Sequence, residues 1–153
     1  MMENKIYNVI WIDDKYNEID LPGNAEQDNI LIKPFKFGKD GIDELKAHIN
    51  NWDGIIVDVK CLWASDNEVD RVESFHLIRD ELLMLKSKRP IPIFVYSGQP
   101  DILSDESFKK SLNGQKLYRK NLDEEELLSD IKLEADKLLE VQIRHKYLDI
   151  LGD

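Results

Sequence analysis

Val9-Ile10-Trp11-Ile12-Asp13-Asp14 sets four apolar side chains directly against two carboxylates. The apolar run is too short for a helix, is rich in β-branched and aromatic residues, and shows no alternation; that is the pattern of a strand covered on both faces. Two further runs repeat it: Ile55-Ile56-Val57, followed by Asp58, and Ile93-Phe94-Val95-Tyr96, followed by Ser97. Strands of this kind belong to a parallel sheet. Two weaker segments, Ile30 to Phe37 and Lys116 to Arg119, are interrupted by charge, and Pro34 lacks the amide an interior strand would use. Both read as edge strands.

The gaps between strands carry helical spacing. Ile42, Leu45 and Ile49 form one stripe, and Phe75, Ile78, Leu82 and Leu85 another. Asp40 is placed to cap the first, and Ser104 or Asp105 to open a shorter helix carrying Phe108 and Leu112. Asp123 and Glu126 have capping-box spacing ahead of Leu128, Ile131, Ala135 and Leu138. Pro22 and Gly23 fall where the first helix should run, which predicts a short, late or irregular one. Alternating strands and helices predict an α/β fold of the doubly wound, flavodoxin-like kind, with a five-stranded parallel sheet in the order 2-1-3-4-5. No repeat or linker interrupts it, so residues 1–153 are expected to form one domain, with 140–153 a helical extension.

Composition narrows the function. The chain has 153 residues, of which 42% are hydrophobic and 34% charged, enough apolar surface for a core without disulfides. Its 21 basic against 31 acidic side chains give a net charge of −10, which opposes nucleic acid and anionic membranes as direct partners. A single cysteine, Cys61, and no charged-then-apolar leader point to the cytoplasm.

The residues that end the strands are Asp13 and Asp14, Asp58, Ser97 and Lys120. In a doubly wound sheet such ends share one edge, where ligands bind. Clustered carboxylates repel one another, and Mg²⁺, a hard cation that prefers oxygen, would relieve that. Asp58, on the central strand, is the best-placed nucleophile toward phosphorus, with Lys120 and Ser97 available to meet the oxygens of a transferred phosphoryl group. Each residue has a plainer reading. Asp13 and Asp14 could cap a turn, Asp58 and Ser97 could enter loops, and Lys120 could belong to a solvated edge. His48, His76 and His145 lack metal-ligand spacing, and Cys61 reads as a buried thiol.

These residues together resemble the response-regulator receiver family of two-component signalling, over about Tyr7 to Leu139. The resemblance implies that Asp58 is the phosphoacceptor, that Asp13, Asp14 and Asp58 hold Mg²⁺ with the main-chain carbonyl of Lys60, and that Ser97 and Lys120 hold the phosphoryl group. It also implies a histidine kinase or phosphotransfer protein as donor and no independent enzyme activity. The sequence departs from the family at Asn121, where proline usually follows the lysine, and at Leu117, where an aromatic is usual and Tyr118 stands one place later. The connection after Asp58, with Trp63, Asp66, Glu68 and Asp70, is longer than the family's and lacks its usual proline. These departures mark an atypical branch.

Two other functions compete. One is a receiver-like interaction module that is never phosphorylated. The other is a Mg²⁺-dependent aspartyl phosphohydrolase, which would carry an acid where Lys60 stands. The apolar tail, Val141, Ile143, Tyr147, Leu148, Ile150 and Leu151, is expected to pack on a second chain as a homodimer, to lead into a missing effector or downstream protein, or to fold back on its own domain.

Overall fold

The first strand, β1 (Tyr7–Ile12), pairs in parallel with β2 (Ile30–Phe35) on one side and β3 (Gly54–Val57) on the other. β4 (Ile93–Ser97) and β5 (Leu117–Arg119) complete a five-stranded parallel sheet in the order β2-β1-β3-β4-β5. The computed structural model describes residues 5–68, 71–98 and 116–150, with side chains over 5–68, 73–98 and 116–139. β3 is buried at every position, as its unbroken apolar run requires. Pro34 sits in the outer strand β2, where its missing amide costs no interior ladder bond.

Two apolar layers sandwich the sheet. Ile10, Ile12, Ile55, Val57 and Val95 face Ile42 and Leu45 of α2 (Gly38–Ala47) and Phe75, Ile78, Leu82 and Leu85 of α3 (Arg71–Leu85). Val9, Trp11, Ile56, Phe94 and Tyr96 face Leu21 and Ala25 of α1 (Leu21–Glu26) and Leu127, Leu128, Ile131 and Ala135 of α4 (Glu124–Ile150). Successive residues of each strand thus feed opposite layers, which is the period of two expressed as a doubly covered sheet. Gly41 lets α2 lie tight on β1, since a Cβ there would stand 2.8 Å from Ile12 Cγ1.

The first helix is short and follows a 3₁₀ turn at Tyr16–Glu18, with Pro22 in its first turn, where a missing N–H does no harm. Two expected caps are corrected. Helix α2 starts at Gly38 with Phe37 at the cap position and no side-chain cap, so Asp40 lies inside the first turn. The Asp123 carboxylate turns back to Arg119 and that of Glu126 pairs with Lys116, so no reciprocal capping box forms. The shorter helix expected from Ser104 or Asp105 lies outside the described residues. Helix α4 runs to Ile150, a length of about 40 Å at 1.5 Å per residue. No helix among the described residues is long and apolar enough to cross a membrane.

Candidate functional site

The strand register builds the site. Ile12 lies beside Val57, Val57 beside Val95 and Val95 beside Leu117, so β1 and β3 end level with each other and β4 and β5 run two residues farther. Backbone bonds carry the order one step further: the Asp58 N–H donates to the Ile12 carbonyl at 3.0 Å, and the Lys120 N–H to that of Ser97 at 2.9 Å. Asp13, Asp58 and Lys120 therefore leave the same edge, and their side chains meet. Lys120 Nζ lies 2.5 Å from Asp13 Oδ2 and 3.0 Å from Asp58 Oδ2.

Burial works against charge in this cluster. Asp13 is fully buried. Burial and the neighbouring Asp58 charge push its pKa up to about 6, although Lys120 and the Lys15 N–H pull the other way. Burial also works against the Lys120 ammonium, but Asp58 and Asp13 outweigh it and hold its pKa above the ordinary lysine value. The Lys120 ammonium pairs with two of three crowded carboxylates, since one oxygen from each of Asp13, Asp14 and Asp58 lies within 4.8 Å of the others. An all-oxygen donor set with excess negative charge fits a hard divalent cation.

A cleft of about 590 Å³ opens over the cluster, lined by Asp14, Asp58, Lys60, Gly98 and Lys120 together with Lys15, Glu18, Ile19 and Asn121. Lys60 stands at its wall, and its N–H donates to Asp58 Oδ1 at 3.3 Å. Ser97 is buried at the end of β4, one residue below Gly98 in the cleft wall. The structure thus brings together Asp13, Asp14, Asp58 and Lys120 and sets Lys60 and Ser97 beside them. Sequence reasoning missed Lys15, Glu18, Ile19 and Asn121 as cleft residues; the place of Asn121, directly after the lysine, was the one available signal.

The long acidic connection is not simply solvated, as its composition suggests. Glu68 accepts from the N–H groups of Trp63, Ala64 and Ser65 at 2.8, 2.6 and 2.5 Å and from the Ser74 hydroxyl at 2.9 Å. Desolvation works against the Glu68 charge, yet these donors prevail and hold its pKa below the ordinary value. Leu62 bridges Phe37 in parallel, and the Leu62 and Trp63 carbonyls accept from the N–H groups of Gly38 and Lys39. The loop that leaves Asp58 is therefore stapled to itself and to the start of α2.

The departures at the fifth strand also have physical form. Asn121 adopts φ 70°, a left-handed conformation that asparagine tolerates and proline cannot enter, and the described residues hold no cis peptide. Leu117 packs toward the α2 and α3 layer, while Tyr118 points into the opposite layer, where its hydroxyl donates to Asp130 at 2.7 Å. The aromatic is thus tied to α4. Cys61 is fully buried, and desolvation followed by the Asp58 and Asp14 charges raises its pKa, which makes the thiolate inaccessible.

No protein-family model matches the chain, and no curated protein matches it by sequence. Solved structures do. A response regulator receiver domain protein from Clostridium thermocellum is 18% identical, with a TM-score of 0.60 over 86% of this chain and 96% of that one. A CheY-like receiver domain protein from Methanospirillum hungatei is 17% identical, with a TM-score of 0.58 over 89% and 98%. The chemotaxis response regulator CheY4 of Vibrio cholerae is 17% identical, with a TM-score of 0.57 over 85% and 99%. The chain has the fold of receiver domains.

Proposed function

We propose that this chain is a cytoplasmic phosphoacceptor domain in a phosphorelay, and that phosphorylation of Asp58 switches its protein partners. The observation that carries this reading is the Lys120 ammonium held between Asp13 and Asp58 in the wall of a cleft that Asp14, Asp58 and Lys60 also line. In the proposed step an Asp58 carboxylate oxygen attacks the donor phosphorus. The new P–O bond forms as the bond to the donor breaks, and the leaving group, an imidazole of a histidine kinase or phosphotransfer protein, keeps the electron pair and takes a proton.

Lys120, already beside Asp58, shifts its pairing to a phosphoryl oxygen, and the Ser97 hydroxyl accounts for another. Asp13, Asp14 and Asp58, with the Lys60 carbonyl, would hold Mg²⁺, which supplies charge neutralisation for the transferred group. The residues form a single domain over 1–153, and the extension over 140–153 leads to a partner, either a second copy or a downstream effector. Catalysis is confined to the domain's own phosphorylation and dephosphorylation.

The test is intact mass after exposure to acetyl phosphate and Mg²⁺. One phosphoryl group should add to the parent and none to Asp58→Asn; an unmodified parent would discard the reading. A non-phosphorylated interaction module is the second reading, favoured by the same ion pairs, because Lys120 partly neutralises Asp58 without any ligand. Trp63, partly buried against the α2 and α3 layer, is the local reporter: fluorescence indifferent to both Mg²⁺ and beryllofluoride supports the module.

A further inference from the structure

Lys120 is held from both sides of its own backbone. Before it, Arg119 pairs with Ser97 in the sheet, and the Lys120 N–H donates to the Ser97 carbonyl at 2.9 Å. After it, the chain turns sharply, and the N–H groups of Leu122 and Asp123 both return to the Arg119 carbonyl, at 3.2 and 2.9 Å. The Asp123 carboxylate closes the turn from the other direction. Its Oδ2 accepts from the Arg119 N–H at 2.8 Å and from Arg119 Nε at 3.0 Å, while its Oδ1 takes Nη2 at 3.4 Å.

Two residues thus exchange bonds across a turn with Lys120 inside it. Asn121 gives the turn its left-handed step at φ 70°. The aliphatic part of Lys120 then runs over Gly98, where a Cβ would stand 3.4 Å from Lys120 Cδ. Sheet, clasp and glycine floor flank the side chain, which ends between Asp13 and Asp58.

We infer that the Arg119–Asp123 clasp, closed around a left-handed Asn121, is the positioning device that holds the Lys120 ammonium over Asp58. Asp123 touches neither the acids nor any transferred group; it acts through the backbone of the turn. The role in phosphoryl transfer rests on the function proposed above, whereas the positioning itself does not. A plainer role for Asp123 is also available: its main-chain carbonyl accepts the first helical N–H, from Leu127 at 2.8 Å, so its carboxylate stands at the N-terminal end of α4, where losing a negative charge weakens the helix start.

The experiment separates these roles with the ¹⁵Nζ resonance of Lys120, which is sharp only while the ammonium is held by hydrogen bonds and is identified by its absence in Lys120→Ala. The signal should be present in the parent, lost in Asp123→Ala, and restored in Asp123→Asn, whose amide oxygen can still accept the Arg119 N–H. Asn121→Gly, which keeps the left-handed step, should also retain it. With acetyl phosphate and Mg²⁺, Asp123→Ala should be labelled about 10-fold more slowly than the parent, as expected for a displaced charge. It should cause no further slowing in a Lys120→Ala background.

A folded Asp123→Ala protein with an intact Lys120 signal, or with slowing that adds to that of Lys120→Ala, overturns the inference and leaves Asp123 a helix-start residue. A parent that is never labelled, yet shows the predicted signal pattern, overturns phosphorylation and upholds the clasp.

Discussion

Asp13 and Glu68 are carboxylates treated in opposite ways. Glu68, in the loop that follows Asp58, collects three backbone N–H groups and a hydroxyl, and its charge is favoured. Asp13, fully buried, has one N–H from Lys15 and a share of the Lys120 ammonium, and its charge is disfavoured. The difference lies first in burial, since Asp13 is fully buried and Glu68 is half-buried, and then in donors per carboxylate, because a buried negative charge is tolerated only as far as its hydrogen bonds and counter-ions replace water. Glu68 is a finished structural staple. Asp13 belongs to a cluster whose carboxylates crowd within 4.8 Å of one another, an arrangement that a cation site needs and a scaffold avoids.

Replacing each acid should break the contrast, with the largest effect at Asp13. Asp13→Asn removes a charge that folding disfavours, so the variant should be more stable at pH 7 by on the order of 2 kcal/mol in urea unfolding. Mg²⁺ should raise the Tm of the parent and leave that of Asp13→Asn nearly unmoved; equal shifts would remove Asp13 from the metal site.

Glu68→Ala should go the other way, losing about 1–2 kcal/mol as the N–H groups of Trp63, Ala64 and Ser65 are released. Hydrogen exchange at those amides should accelerate well before that of β3, and unchanged exchange would mean that the staple does not hold the loop.

The pH profile sharpens the comparison further. Asp13 has its folded pKa raised from 3.8 to about 6, so its penalty is absent below the first value and complete above the second. Its contribution makes stability fall as pH rises through that window. Glu68 has a lowered pKa, so its stabilisation is present above the ordinary value of 4.5 and is lost as pH falls through the lower folded one. Asp13→Asn should flatten the limb between about pH 4 and 6, and Glu68→Gln the more acidic limb. The smallest effect is expected at Asp40, exposed in the first turn of α2 and not its cap: Asp40→Ala should change stability by no more than about 0.5 kcal/mol.

Legibility followed the range of the interactions. The strands were plain in Val9 to Ile12, Ile55 to Val57 and Ile93 to Tyr96, because an unbroken apolar run has few other uses. The stripe Phe75, Ile78, Leu82 and Leu85 is buried along its length for the same reason. Caps were less legible. Asp40 and Asp123 are capping residue types at plausible distances, but Phe37 is held extended at the start of α2, and Arg119 offers Asp123 a better partner than the helix does.

What the sequence by itself determined is the order of apolar runs, and through it a doubly covered parallel sheet with Asp13, Asp58, Ser97 and Lys120 at the strand ends. Those features depend on side-chain type and on periods of two and 3.6, which are local. The tertiary structure alone decided that Lys120 stands between Asp13 and Asp58, that Glu68 staples its loop, and that the turn after Lys120 is closed by Arg119 and Asp123. Each of these depends on distances between groups that the chain brings together only after the sheet has set its register, and no local pattern encodes such distances.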